Sequence, residues 1–481
     1  MKSLIIAADA ATPEYIIGKK EQFPTIQNII KNGAVCTFSS YVQKGYEGSY
    51  SSEQNWASIY TGLSPREHNI DRFYRDGKLC IPSMVSFADC LPFWQILNES
   101  GLSVALWSAD CCEDPVEIDG YAVSSRYTPI QTPSENREAP REIMVCEKDR
   151  HILRFLDGTP PPRLYPPTIK SQGFTYRQLK ENPALVDKIA NERVFQPMVD
   201  NFESELRYWF SSMAKAQREY PVDIMYLFTP TPDILGHFVL YCDENPVLIE
   251  AYKLIDFYIG EFVREFKPEL TVFMSDHGQQ NFKNLIKCAD PKVQKEAFAA
   301  RDEVIWMENG SIAFEALNGG LLFAAHSIKG VFLVDGSGIK KTGISEMRTL
   351  DIYPTLLEMF DIKVPAGRNG YVVDIFTKPI VNTDMVLKAR DIVYRNIALV
   401  QTHEISVMDI ILNELYLEKR FSRIIVAGER RYEEIFRNNP RVFDFVDIDS
   451  FDGENYNEVY CGFYNGATKR MTHLRVNYKR P

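Results

Sequence analysis

The sequence predicts an α/β fold, a mostly parallel sheet with helices on both faces. Two observations carry that prediction. Apolar runs at Ser3–Ala8, Ser103–Trp107, Asp223–Phe228, Leu270–Met274 and Gly330–Val334 show no alternating polar face, the pattern of strands covered on both sides. The stretches between them turn to helical patterning. A third observation concerns placement. Asp9, Asp276 and His277 each follow one of these runs by one to three residues, and ligands in such sheets gather at the carboxyl ends of strands.

The elements follow in order. Residues 3–8 form the first strand, and Thr12-Pro13 reads as the N-cap and first turn of a helix. Residues 24–31 repeat apolar positions at helical spacing and stop at Asn32-Gly33. Residues 129–184 are rich in proline and polar residues, which interrupt regular structure. From 185 to 218, Leu185, Ile189, Val194, Met198, Phe202, Leu206, Trp209 and Met213 mark a long helix. The expected organisation is a core in two parts, 1–115 and 221–380, with 116–220 inserted between them, read equally as a cap over the site or as a plain structural elaboration. Residues 381–481 are expected to form a small α/β accessory region: a helix pattern over Met385–Leu415, a strand at Ser422–Ala427, a short helix and an apolar run at Val442–Val446.

Bulk properties narrow the function. The chain has 481 residues, 45% of them hydrophobic, and a net charge of −11. It can bury a large core, and it lacks the basic face that duplex nucleic acid requires. No apolar stretch reaches the length of about 18–20 residues that spans a bilayer, and the apolar run before Asp9 is too short for a signal peptide. The nine cysteines are odd in number and show no repeated zinc-site spacing. These features predict a cytoplasmic protein with reduced thiols, acting on a small molecule rather than on a membrane or a duplex. Oligomeric state is left open.

The chemistry lies in four separated segments: Ser-Leu-Ile-Ile-Ala-Ala-Asp9, Pro-Asp233-Ile-Leu-Gly-His237, Met-Ser-Asp276-His277-Gly, and Ala-Ala-His326. They contain three Asp and three His, of only seven His in the chain. That set supplies three protein ligands to each of two divalent cations. Asp233 and His237 are four apart, so a helix starting after Pro232 would put both on one face. Taken singly, each pair reads as well as a cap beside a buried histidine. Together, in order, after apolar runs, they point to a metal site.

Between the first two segments stands Ser51-Ser52-Glu53-Gln54-Asn55-Trp56-Ala57-Ser58-Ile59-Tyr60-Thr61-Gly62-Leu63-Ser64-Pro65-Arg66-Glu67-His68-Asn69-Ile70. This stretch resembles the nucleophile segment of the alkaline phosphatase superfamily, most closely its type I phosphodiesterase/nucleotide pyrophosphatase branch. That branch carries Thr-Gly-x-x-Pro-x-x-His-Gly-Ile nine residues after the nucleophile; here Asn69 replaces the usual Gly. The resemblance implies Ser52 as nucleophile and Asn55 as a phosphate-binding residue. It implies one cation held by Asp233, His237 and His326, the other by Asp9, Asp276 and His277, with Ser52 between them. Arg348-Thr-Leu-Asp-Ile-Tyr-Pro-Thr-Leu-Leu-Glu-Met resembles the helix that closes this core. His68 belongs to the signature but is expected to be structural.

The resemblance covers residues 1–115 and 221–378 and implies an alkaline-phosphatase-like core. It implies a metal-dependent hydrolase cleaving a phosphodiester or pyrophosphate bond of a small phosphorylated metabolite, such as a nucleotide, through a seryl intermediate. A phosphomonoesterase of the same superfamily is the alternative. A non-catalytic binding protein on the same fold is the alternative of another class, weakened because no ligand is missing. Mixed Asp/His ligation favours zinc, with manganese left open. In that branch an aromatic residue a few positions ahead of the Pro-Asp motif stacks on the base; Phe228, five residues before Asp233, holds a similar place and reads equally as the end of a buried strand, while Trp56, next to Asn55, is a second candidate substrate contact. Cys80-Ile81-Pro82-Ser83-Met84 comes near a sulfatase motif, but Met84 stands where Arg is required.

Overall fold

The computed structural model describes residues 1–40, 52–68, 74–75, 78–79, 90–109, 115–127, 138–139, 141–190, 192–240, 245–282, 305–307, 312–315, 320–386, 395–403, 407–408, 411–412, 415–416, 419, 422–439, 441–465 and 470–476. Cys80–Met84 and the Cys111-Cys112 pair lie outside the described residues.

The elements that build the centre are, in chain order, β1 (Ser3–Ala8), α1 (Pro24–Asn32), β2 (Ala34–Ser39), α2 (Ser52–Thr61), α3 (Phe93–Glu99), β3 (Val104–Trp107), β4 (Gly120–Tyr127), β5 (Arg141–Val145), α4 (Glu192–Glu219), β6 (Ile224–Thr229), α5 (Thr231–Val239), α6 (Pro246–Phe266), β7 (Leu270–Met274), β8 (Gly278–Asn281), β9 (Ala324–Ser327), β10 (Lys329–Gly336), β11 (Ile344–Arg348) and α7 (Thr349–Met359). Nine of the strands form one sheet in the order β11-β2-β10-β7-β1-β6-β3-β4-β5. The central pairs are parallel: β7 with β1, β1 with β6, β6 with β3, and β3 with β4.

Strand β1 shows why the apolar runs have no polar face. Leu4, Ile6 and Ala8 point to one side, into a core with α1, α4 and α6. Ile5 and Ala7 point to the other, against α2, α3 and α7. Every side chain of the strand is therefore buried, as in a sheet sandwiched between helices. Arg348 N donates to Asp351 Oδ2 at 2.9 Å and starts α7. Gly62 ends α2 with φ +67°, and a Cβ there would stand 2.8 Å from the Tyr353 ring, so glycine lets α2 and α7 meet.

Several elements differ from expectation. Strand β10 is antiparallel to both β7 and β2; burial on both faces hides strand direction from the sequence. Within 116–220, β4 and β5 extend the central sheet, and α4 packs into the core beneath Leu4, Ile6 and Ala8. Thr12 precedes a four-residue helix, Pro13–Ile16, but its hydroxyl makes no cap hydrogen bond because it donates to Ala10 O.

In the C-terminal region, β12 (Arg395–Val400), β13 (Ser422–Gly428), β14 (Asp444–Asp447), β15 (Glu458–Asn465) and β16 (Arg470–Val476) form a sheet in the order β14-β13-β12-β15-β16. Its central strand β12 falls inside the range read as helix, because a short fully buried strand and a buried helical turn look alike in sequence. Among the described residues no helix is long and apolar enough to cross a membrane. Cys36, Cys146 and Cys461 are free thiols.

One buried ion pair ties α4 to the sheet and to α5. Arg141 Nη2 donates to Glu205 Oε1 at 2.6 Å, their side chains 0% and 4% exposed. Thr231 Oγ1 donates to Glu205 Oε2 at 3.0 Å. Glu205→Ala removes the Glu205 carboxylate from the buried Arg141 charge, and the unfolding free energy should fall by about 3–5 kcal/mol. Urea denaturation checks this, and a loss below about 1 kcal/mol would assign the pair no structural weight.

Candidate active site

Strand ends bring the expected ligands together. Asp9 follows β1, Asp233 and His237 sit on α5 just after β6, Asp276 and His277 follow β7, and His326 lies on β9. Ser52 is the first residue of α2, at the helix end where free N–H groups and the helix dipole favour negative charge.

The geometry forms two adjoining groups. In the first, Asp233 Oδ1 lies 3.3 Å from His237 Nε2 and 3.0 Å from His326 Nε2. The two Nε2 atoms face each other at 2.8 Å. His237 Nδ1 donates to Ala324 O at 2.8 Å, which leaves its Nε2 lone pair directed at this cluster. In the second, His277 Nε2 lies 3.1 Å from Asp276 Oδ2 and 3.6 Å from Asp9 Oδ1. His277 Nδ1 donates to Gly278 O at 3.0 Å, again leaving Nε2 as the acceptor. The His277 and His326 rings stack with centroids 3.9 Å apart. Asp233, His277 and His326 form one compact ligand group, and Asp9, Asp276 and His277 another. His277 therefore borders both groups instead of belonging to one alone.

Ser52 stands where the groups meet. Its Oγ donates to Asp9 Oδ1 at 3.1 Å and lies 3.0 Å from His277 Nε2. Asn55, three residues later on α2, is fully buried. His68 is structural in position: its Nε2 lies 3.1 Å from Ser58 Oγ within the core.

The electrostatics follow from burial and from carboxylates set against imidazoles. Burial pushes the Asp276 carboxyl well above the usual carboxylate range, despite a hydrogen bond shared with Asp9 and another donated by Ala10 N. Burial, with His326 nearby, holds His277 well below the usual histidine range. Burial opposes ionisation of Asp233, yet His237 and His326 together outweigh it and hold Asp233 well below the usual value. Burial works against the His237 charge, and Asp233 prevails and raises it. Asp276 Oδ2 is buried and accepts no hydrogen bond. Converging lone pairs and an unsatisfied carboxylate oxygen fit one or two divalent cations with mixed O/N ligation.

Three supporting residues carried no signal in the sequence. Ala10 adopts φ +56°, and its N–H donates to Asp276 Oδ1 at 3.3 Å. This left-handed conformation costs an alanine about 1–2 kcal/mol. Ser40, just after β2, donates a hydrogen bond to Asp276 O. Tyr252 on α6 accepts from Thr12 N at 3.1 Å and steadies the same turn.

Phe228 and Trp56 require correction as substrate contacts. Trp56 is 0% and Phe228 4% exposed. Their rings meet edge to face at 5.4 Å, and Trp56 also stacks on Tyr60 at 5.9 Å. Both are core residues in the second cluster, so neither offers a face to a nucleobase.

The family model for type I phosphodiesterase/nucleotide pyrophosphatase matches residues 3–322. The chain therefore belongs to that family and is a hydrolase acting on phosphoric ester bonds. A comparison with curated proteins found no match. Among solved structures, human ectonucleotide pyrophosphatase/phosphodiesterase 5 is 13% identical, with 77% of this chain and 97% of that one covered and a TM-score of 0.42. An inactive variant of the murine protein in complex with AMP gives the same identity, coverage and TM-score. A mutant of the alkaline phosphatase PafA is 12% identical, with 78% and 98% covered and a TM-score of 0.45.

Cation binding should release protons. In the metal-free protein Asp276 and His237 hold protons to higher pH than usual, and both protons compete with the cation. Asp233 and His277 are already deprotonated near neutrality, since both are lowered. Zinc affinity should therefore rise as pH climbs through and above the ordinary histidine range, with net proton release that shrinks as pH rises. Calorimetry in two buffers of different ionisation enthalpy measures it; no proton release at the acid end would contradict this charge assignment.

Proposed function

We propose that the protein hydrolyses a phosphodiester or pyrophosphate bond of a small phosphorylated metabolite, a nucleotide or nucleotide derivative, through a covalent intermediate on Ser52. The observation that carries this reading is the position of Ser52 Oγ, 3.1 Å from Asp9 Oδ1 and 3.0 Å from His277 Nε2 at the amino end of α2. Asp233, His237 and His326 would hold one divalent cation, and Asp9, Asp276 and His277 the other. Zinc suits the mixed donor set best, with manganese as an alternative. When bound, the cations would neutralise charge on the phosphoryl oxygens and lower the pKa of the Ser52 hydroxyl.

The chain's own residues supply the rest. Ser52 already directs its O–H to Asp9 Oδ1, which orients a lone pair of Oγ for attack. Attack forms the Oγ–phosphorus bond while the hydroxyl proton leaves along its hydrogen bond to Asp9 Oδ1, and the bond to the leaving group breaks, that group departing with the electron pair and taking up a proton from water. Water then cleaves the seryl ester and restores the hydroxyl. The N–H groups at the amino end of α2, with the Asn55 side chain, would take the charge that gathers on the phosphoryl oxygens. The buried walls around Asp276 and His277 limit the water that would screen these interactions.

Two assays test the proposal. Bis-p-nitrophenyl phosphate and a nucleoside diphosphate should be cleaved faster than p-nitrophenyl phosphate; the reverse order would make the protein a monoesterase. Ser52→Ala should keep its fold and its cations and lose at least about a thousandfold in kcat/KM, since no neighbouring group replaces the covalent step. Near-normal turnover in that variant would remove Ser52 as nucleophile.

A further inference from the structure

Gln279 lies two residues beyond His277 on β8, in register with His326 of β9. Its side chain is buried and crosses to α5. There its Nε2 donates to Asp233 Oδ1 at 2.9 Å and to Asp233 O at 2.6 Å. Asp233 Oδ1 is the same oxygen that faces His237 Nε2 and His326 Nε2. The main chain of Gln279 is fixed too, since its N–H donates to Thr12 Oγ1 at 2.9 Å. The segment bearing Asp276 and His277 is thereby tied to the helix bearing Asp233 and His237.

Two details argue against mere space filling. Gln279 Oε1 is buried and accepts no hydrogen bond. A leucine of similar volume would fill the space without burying an unsatisfied carbonyl. A Cβ at Gly236 would stand 1.3 Å from Gln279 Oε1, so the glycine inside Pro-Asp-Ile-Leu-Gly-His admits the amide. Helix α5 thus carries a residue of poor helix propensity at the one place where the amide needs room.

We infer that Gln279 is a positioning residue for the cation site of Asp233, His237 and His326. Its amide fixes the rotation of the Asp233 carboxylate so that Oδ1, rather than Oδ2, meets the cation beside the two imidazoles. The amide occupies one lone pair of Oδ1 and leaves the other for the cation. The inference rests on the two-cation reading proposed above. Hydrogen bonds that orient metal ligands typically carry a tenfold to hundredfold share of metal affinity.

The experiment titrates metal-stripped protein with Zn2+ against a chromophoric chelator and follows the thermal unfolding of the metal-free form. Wild type should take up two equivalents; failure to do so would remove the two-cation reading and this inference with it. Gln279→Leu should weaken one equivalent by about 10–100-fold and leave the other within about twofold, without lowering the metal-free Tm. Gly236→Ala reaches the same point independently, because its methyl group evicts the amide while Gln279 remains. It should weaken the same equivalent, and the double variant should be no worse than either single one. Two equivalents of wild-type affinity in either single variant would overturn the inference, as would additive losses in the double variant.

Discussion

Like groups held within contact distance govern this structure. His237 Nε2, an acceptor when its ring is neutral, meets His326 Nε2 at 2.8 Å. Asp276 is fully buried beside Asp9, with one carboxylate oxygen accepting no hydrogen bond. In water such groups would separate or take up protons. Here they stay together because each is anchored to the end of a buried strand or to the helix that follows one. The raised Asp276 and lowered His277 record the electrostatic cost. A pair of divalent cations would take these lone pairs as ligands and offset the charge gathered on the carboxylates.

The remainder of the core keeps that cluster from relaxing. Strands β6, β1 and β7 are adjacent and parallel, so their carboxyl ends deliver Asp9, the start of α5 and Asp276-His277 to one edge. The two-sided core prevents the strands from slipping, since a shift of one residue would exchange the faces that Leu4 and Ile5 bury. Packing of α2 on α7 through Gly62 and Tyr353 sets the amino end of α2, and with it Ser52, against the ligand groups. The Glu205 carboxylate reaches the first residue of α5 from the opposite side.

Much of this was legible in the sequence, for a physical reason. A strand buried on both faces must be apolar throughout, and a polar or titratable residue at its end stands out against that background. Asp9 after β1 and Asp276-His277 after β7 are visible in this way, and the i, i+4 spacing of Asp233 and His237 is visible because α5 begins at Thr231. Strand direction left no such mark, so β10 is antiparallel without any sign in its residues. The two sides of an aromatic ring are equally silent: Phe228 and Trp56 lie near the site in sequence but face each other in the core. Contacts between distant segments were the least accessible. The reach of Gln279 to Asp233 and the turn at Ala10 depend on strand register and a positive φ that no local pattern announces.

The central claim is that these six side chains hold two divalent cations with Ser52 between them. Anomalous-scattering crystallography of zinc-loaded protein at the zinc absorption edge measures it directly. The account predicts two peaks about 3.5–4 Å apart, one within ligand distance of Asp233, His237 and His326, the other of Asp9, Asp276 and His277, with Ser52 Oγ against at least one. A single peak, or two peaks that Ser52 does not touch, would contradict it.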